Sequence, residues 1–196
     1  LDQGETIDFK LSVPELGVLI DTPRWWTVLV NADHDAVLGD AALRTSVPAA
    51  LPAVSGERVR RLQLMADERG HVALEPHAIV GDRRPAIAYA VIDSPRDFEM
   101  PVGMSADWWS AWFVNGELLY DTLATGNEAG SVADHTFTMP LKKGRIVVCA
   151  IVLSGSGGFD FTLAGERGIG LVTSGGVDPH RLDLELVSDD GTVLTR

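Results

Sequence analysis

WWSAWFVNGELLYDT, residues 108–122, places three of the chain's five tryptophans within five residues and follows them with an Asn-Gly pair. Asn-Gly between two apolar runs is a strong short-range signal for a β-hairpin closed by a two-residue type I′ turn. Such a turn sets Val114 opposite Glu117, Phe113 opposite Leu118, Trp112 opposite Leu119 and Ala111 opposite Tyr120. One face then carries Trp109, Ala111, Phe113, Leu118 and Tyr120, and is expected to be core. The other carries Trp108, Ser110 and Trp112 with Glu117, Leu119 and Asp121, a mixture of rings and polar groups.

The period-2 pattern extends outward from this hairpin. IDFKLSVP (7–14) alternates and stops at Pro14, and WWTVLVN (25–31) is a second strand. PAIAYAVID (85–93) is apolar on both faces, so it is expected to be covered on both sides. HTFTMPL (135–141) sets His135, Phe137, Met139 and Leu141 on one face. KKGRIVVCAIVL (142–153) turns at Gly144 into the longest apolar run, a central buried strand. FDFTLAG (159–165) and LDLELV (182–187) alternate as well, and Asp190-Gly191 marks a second hairpin. SGERVRRLQLMADERG (55–70) leaves helix and strand open: Val59, Leu62 and Met65 have helical spacing, while Leu62 and Leu64 alternate. AALRTSVPAALPAVSG (41–56), rich in Ala and Pro, is expected to be a surface excursion. Many short strands with little helix predict an all-β fold. The expected form is an antiparallel β-sandwich of jelly-roll type, one domain over 1–196 with at most one or two short helices.

Composition narrows the partners. The chain has 45% hydrophobic and 22% charged residues, as a globular protein does, and a net charge of -12. That charge disfavours nucleic acid and anionic membrane surfaces, and no stretch is long and apolar enough for a membrane span. Leu1 opens the sequence without a charged segment leading into an apolar one, so no signal peptide is expected in this stretch. The single cysteine, Cys149, excludes an internal disulfide or a cysteine-built zinc site; inside IVVCAIVL it is expected to be a small core residue.

ADWWSAWFVNGELLYDT, LKKGRIVV and LSGSGGFDF together resemble the galactose-binding-like β-sandwich, over roughly residues 71–165. This is the jelly roll of carbohydrate-binding modules and of the sugar-binding domains of β-galactosidase-type glycosidases. The resemblance implies a β-sandwich whose role is to hold a glycan.

The mixed face of the hairpin suits that role, because an indole covers the apolar C–H face of a pyranose while carboxylates take its hydroxyls. Candidate contacts are therefore Trp108 and Trp112 with Asp107 and Asp121, joined by Trp25 or Trp26. Trp25 and Trp26 point to opposite faces of their strand, so one at most is expected to be exposed. Trp108, at the start of its strand beside Asp107, is preferred over Trp112, and burial of both rings under the terminal segments is the competing expectation. In NADHDAVLGD (31–40), Asp33, Asp35 and Asp40 form an oxygen-rich loop that either holds calcium or is simply a solvated acidic loop. Nucleophile-elbow, dinucleotide, P-loop and zinc-protease patterns are absent from the sequence.

The expected function is thus a non-catalytic carbohydrate-binding module, the extracellular part of a secreted polysaccharide-degrading protein. Its partners would be a polysaccharide or oligosaccharide and a covalently linked catalytic domain. Two alternatives stand beside it: an interaction module that packs on a catalytic domain without binding sugar, and a small β-sandwich glycan lyase or hydrolase.

Overall fold

A computed structural model describes residues 22–49, 59–77, 85–127, 131–155, 158–165, 186–187 and 193–195. The expected strand at 7–14 and most of LDLELV lie outside the described residues. Among the described residues, ten strands form two sheets. The first contains β1 (Trp25–Val30), β2 (Arg60–Met65), β4 (Pro85–Ser94), β6 (Trp108–Val114), β7 (Glu117–Asp121) and β9 (Gly144–Ser154), ordered β2-β1-β4-β9-β6-β7. The second contains β3 (His71–Ala73), β5 (Phe98–Ala106), β8 (Thr136–Leu141) and β10 (Asp160–Gly165), ordered β3-β10-β5-β8. A separate ladder pairs β11 (Leu186–Val187) with β12 (Val193–Thr195), the strands that flank Asp190-Gly191. The strand pairs are antiparallel, as the sequence pattern requires, and the fold is an all-β sandwich. One α-helix, α1 (His34–Gly39), and two 3-10 turns complete the described elements.

Within the open segment 55–70, Arg60–Met65 form strand β2 because Leu62 and Leu64 sit opposite Val28 and Trp26 of β1, and the gain from burying that side outweighs helical spacing.

Alternation on β4, β6 and β9 supplies two apolar faces. Ala88, Ala150 and Trp112 are successive cross-strand partners facing the second sheet, while Tyr89, Cys149 and Phe113 are partners facing away from it. The inward side forms the main core with Val72, Met104, Phe161 and Leu163 of the second sheet. The outward side packs under α1 through Val37 and Leu38 and under the excursion through Leu43 and Val47. The hairpin face expected to be the core is therefore the outer one, under the excursion, and Trp112 belongs to the core between the sheets. A strand covered on both sides is apolar on both, so alternation alone does not say which side meets the second sheet.

The turn itself is as expected: Asn115 (φ 47) and Gly116 (φ 87) are both left-handed, and Val114 pairs with Glu117 and Phe113 with Leu118. Beyond them a bulge shifts the register. Trp112 pairs with Tyr120 and Ala111 with Asp121, which leaves Leu119 as the extra residue. The shift brings Tyr120 to the inner side, where its ring stacks on Phe137 of β8 at 5.3 Å and its hydroxyl lies 3.0 Å from His135 Nδ1.

Arg44 fastens the excursion to the hairpin. Its guanidinium donates to the carbonyls of Val37 (2.8 Å), Leu38 (2.6 Å) and Gly116 (3.2 Å), and lies 4.7 Å from the centre of the Phe113 ring. One planar fork thus closes the end of α1, holds the turn and caps an aromatic face. Arg44→Ala should lower the stability by about 2 kcal/mol in a urea titration. Arg44→Lys should recover only part of it, since an ammonium reproduces the charge but not the fork.

Under the same cover, burial pushes the Cys149 thiol up to about 12 and raises the Tyr89 phenol, whose hydroxyl donates to Leu43 O at 2.9 Å. The native state keeps these protons while the unfolded chain begins to release the thiol proton near its ordinary 9.0. Stability should therefore hold up to that pH and fall as the pH rises above it. Urea midpoints across the alkaline range check this, and Cys149 should react with a thiol reagent only after unfolding; rapid labelling of the native protein would contradict its placement.

Candidate functional site

The five tryptophans separate into three environments. Trp26 and Trp112 are each 1% exposed and lie in the core. Trp112 Nε1 donates to Ser110 Oγ (3.1 Å) and Trp26 Nε1 to Pro23 O (3.1 Å), so neither ring has a face or an N–H left for a ligand. Both are removed from the candidate contacts. Trp109 is partly buried and lies edge-on to Trp108 at 6.2 Å. Trp25 and Trp108 are exposed at 62% and 43%. One ring of the Trp25-Trp26 pair is exposed, then, but Trp25 does not join Trp108, because β4 and β9 separate their strands.

Trp108 stands at a corner of the sandwich. β5 ends at Ala106 in one sheet and β6 begins at Trp108 in the other, with Asp107 alone between them. Turning that corner in one residue puts Trp108 at φ 110, a left-handed backbone that is costly for a bulky side chain. Contacts on every side hold it there. Asp107 O and Oδ2 both accept the Gly155 N–H, at 2.6 and 2.7 Å, and Thr122 Oγ1 donates to Trp108 O at 3.4 Å. Gly126 (φ 76) backs the indole so closely that a Cβ there would collide with Trp108 Nε1. A Cβ on Gly155 would lie 2.8 Å from Trp108 Cβ. The two glycines thus let the ring stand half exposed in one fixed position.

Polar groups continue from this corner. A Cβ placed on Gly158 would be 3.7 Å from Asp160 Oδ2 and 4.0 Å from Asp107 Cγ, so both carboxylates border the same loop. Asp160 Oδ2 is 3.7 Å from His71 Nε2. Burial raises the Asp160 carboxyl above its ordinary 3.8, against the lowering effect of His71, and the negative charge of Asp107 adds to the rise. Nearby, Asn127 is buried and donates to Ala106 O (2.8 Å) and Ser105 Oγ (3.5 Å), while its Oδ1 has no hydrogen-bond partner.

The other expected residues lie elsewhere. Asp121 is exposed opposite Ala111, and its carboxylate accepts the Leu123 N–H at 3.3 Å. Asp33 Oδ1 caps α1 by accepting from Asp35 N (3.1 Å) and Ala36 N (3.2 Å), and Asp40 Oδ1 accepts from Ala42 N (2.8 Å) at the start of the 3-10 turn. Among the described residues no group of three or more metal-binding side chains gathers, so of the two readings of Asp33, Asp35 and Asp40 the structure supports the acidic loop rather than a calcium site. Their spacing serves helix starts instead. Asp160 and His71 were not among the sequence candidates. They sit 89 residues apart (160 − 71), and only the β3-β10 pairing brings them together.

No family model and no curated protein matches the chain. Among solved structures it is similar to a β-glucosidase from Kluyveromyces marxianus (TM-score 0.47, 13% identity), covering 71% of this chain and 16% of that one. It is also similar to an anti-sigma factor domain-containing protein (TM-score 0.43, 16% identity; 74% of this chain, 44% of that one). A third is a family 35 carbohydrate-binding module from Clostridium thermocellum (TM-score 0.30, 16% identity; 43% and 71%). The chain thus spans less than half of the first two proteins.

Because the folded state disfavours the ionised form of Asp160, its charge opposes folding above the carboxylate range. Asp160→Asn should raise the Tm at neutral pH, and the gain should vanish as the pH falls below about 4. A lower Tm at neutral pH would mean that the His71 contact outweighs the burial.

Proposed function

We propose that the protein is a non-catalytic carbohydrate-binding module of the galactose-binding-like kind, serving a secreted, polysaccharide-processing protein. A sugar ring stacks on the open face of Trp108, and Asp107 and Asp160 accept its hydroxyls. The observation that carries this reading is the strained, half-exposed indole at the sheet corner, held by two glycines and bordered by two carboxylates. A hydrophobic ring would gain by burying itself; holding it out at a costly φ calls for a compensating use.

Affinity gel electrophoresis against neutral and acidic polysaccharides tests the reading. Retardation by at least one glycan is expected, lost in Trp108→Ala and kept in Trp25→Ala. A folded protein that no glycan retards would overturn the function. Retardation that survives Trp108→Ala would leave the function and remove the site. Release of reducing ends from the same panel would make the protein an enzyme.

One observation favours a second reading, an interaction module. Trp25 and Met65 are cross-strand partners on β1 and β2, 62% and 61% exposed, and form an apolar pair on the outer side of the first sheet. A catalytic domain of the same polypeptide would cover them, and the Trp25 fluorescence would then be shielded from iodide in the longer protein.

A further inference from the structure

The outer face of the second sheet carries a polar groove that adjoins the Trp108 corner. On β3, β10 and β5 every second residue enters the core, as Val72, Phe161 and Ala106 do, and the alternate residues face out. His71, Thr162 and Ser105 are cross-strand partners, so they form one row across three strands, roughly 10 Å long. Asp67 and Arg69 from the β2-β3 turn, with Ser131 and Val132, border the row and form with it an open groove of about 520 Å³. That is a volume typical of small-ligand sites.

The walls are set by the backbone. Asp67 Oδ1 accepts the N–H groups of Arg69 (2.8 Å) and His71 (3.0 Å), which locks the turn. Gly70 (φ 82) lies against β10, with its carbonyl accepting from Leu163 N at 3.1 Å. Among the described residues the Arg69 guanidinium has no hydrogen-bond or ion-pair partner, so its donors face the groove. Asp160 joins the groove to the corner, since it touches His71 on one side and borders Gly158 with Asp107 on the other.

The chemistry of the lining selects the ligand. Arg69 only donates, the Asp67 and Asp160 carboxylates only accept, and the Thr162 and Ser131 hydroxyls do both. Hydroxyl groups, each of which donates and accepts, satisfy such a mixture. An anionic group would face two carboxylates for one guanidinium, and an apolar ligand would leave all of these groups desolvated. We infer that the groove binds the continuation of a neutral glycan chain whose first ring stacks on Trp108, so that the module grips an internal stretch of polysaccharide rather than a terminal sugar. This rests on the Trp108 reading above.

Calorimetric titration with neutral oligosaccharide ladders (cello-, xylo-, manno- and galacto-oligosaccharides, from the monosaccharide to about six units) tests it, with an oligogalacturonate ladder as the anionic comparison. In one neutral series affinity should rise at least about tenfold with length and then level off. The double variant Arg69→Ala, Thr162→Val should lose that gain, about tenfold or more, and keep the affinity for the shortest ligand. Its circular dichroism and Tm should match those of the parent protein. Trp108→Ala should weaken every length. Length-independent binding, or full length dependence in the double variant, would overturn the groove while leaving the Trp108 site. Tighter binding of oligogalacturonate than of any neutral series would overturn the ligand class. Absence of binding by every ladder would overturn the groove and the Trp108 reading together.

Discussion

The two sheets are held at their spacing by large rings set over small residues. Trp26, Trp112 and Phe161 meet edge to face, with centroids 5.0 to 6.3 Å apart. Such pairs add about 0.5–1.5 kcal/mol each beyond the area they bury. They fit because β4 and β9 offer Ala86, Ala88, Ala90 and Ala150 on the same side; larger residues there would force the sheets apart or the rings out of their rotamers. Packed sheets lie only about 10 Å apart, so large and small side chains must alternate across the gap. Both indole N–H groups are satisfied within the protein, through Pro23 O and Ser110 Oγ.

What happens at the corner follows from that packing. Trp112 fixes β6 against the second sheet, and Ser110 ties it to β7 through Thr122, which accepts the Ser110 N–H at 3.0 Å and donates its own N–H to Ser110 O at 2.8 Å. With β6 held, and β5 held in the other sheet, only Asp107 is left to bridge them. The unusual backbone of Trp108 is therefore where the strain of joining two tightly packed sheets collects. Gly126 and Gly155 are the accommodations that let a ring sit there.

Much of this was legible in the sequence. Asn115-Gly116 announced its turn, alternation marked β8 and β10, and the apolar character of β4 on both faces and the long apolar run of β9 announced buried central strands. Two things were hidden for physical reasons. A strand apolar on both faces carries no label for which face meets the other sheet: Phe113 is buried as expected, but it is the Trp112 side that meets the second sheet. A bulge such as the one at Leu119 answers to tertiary contacts, here Tyr120 against Phe137, and leaves no mark in a period-2 pattern. The site was legible in part: position 108 stood out at a strand start beside an acid, but Asp160 and His71 join it only through long-range pairing. The acidic run at 33–40 left two readings open because carboxylates that cap helix starts and carboxylates that bind calcium are the same residues at similar spacing.

Trp26 and Trp112 are committed to the core, and the proposed role of the exposed Trp108 as the ligand contact can be read from the indole N–H region of a two-dimensional NMR spectrum. The five indole signals, assigned by single substitutions, would be followed while a retained oligosaccharide is added. The expected result is a saturable shift of Trp108, a smaller one of its edge-on neighbour Trp109, and none of Trp26, Trp112 or Trp25. Saturable shifts confined to Trp25, or of Trp112 without Trp108, would contradict it.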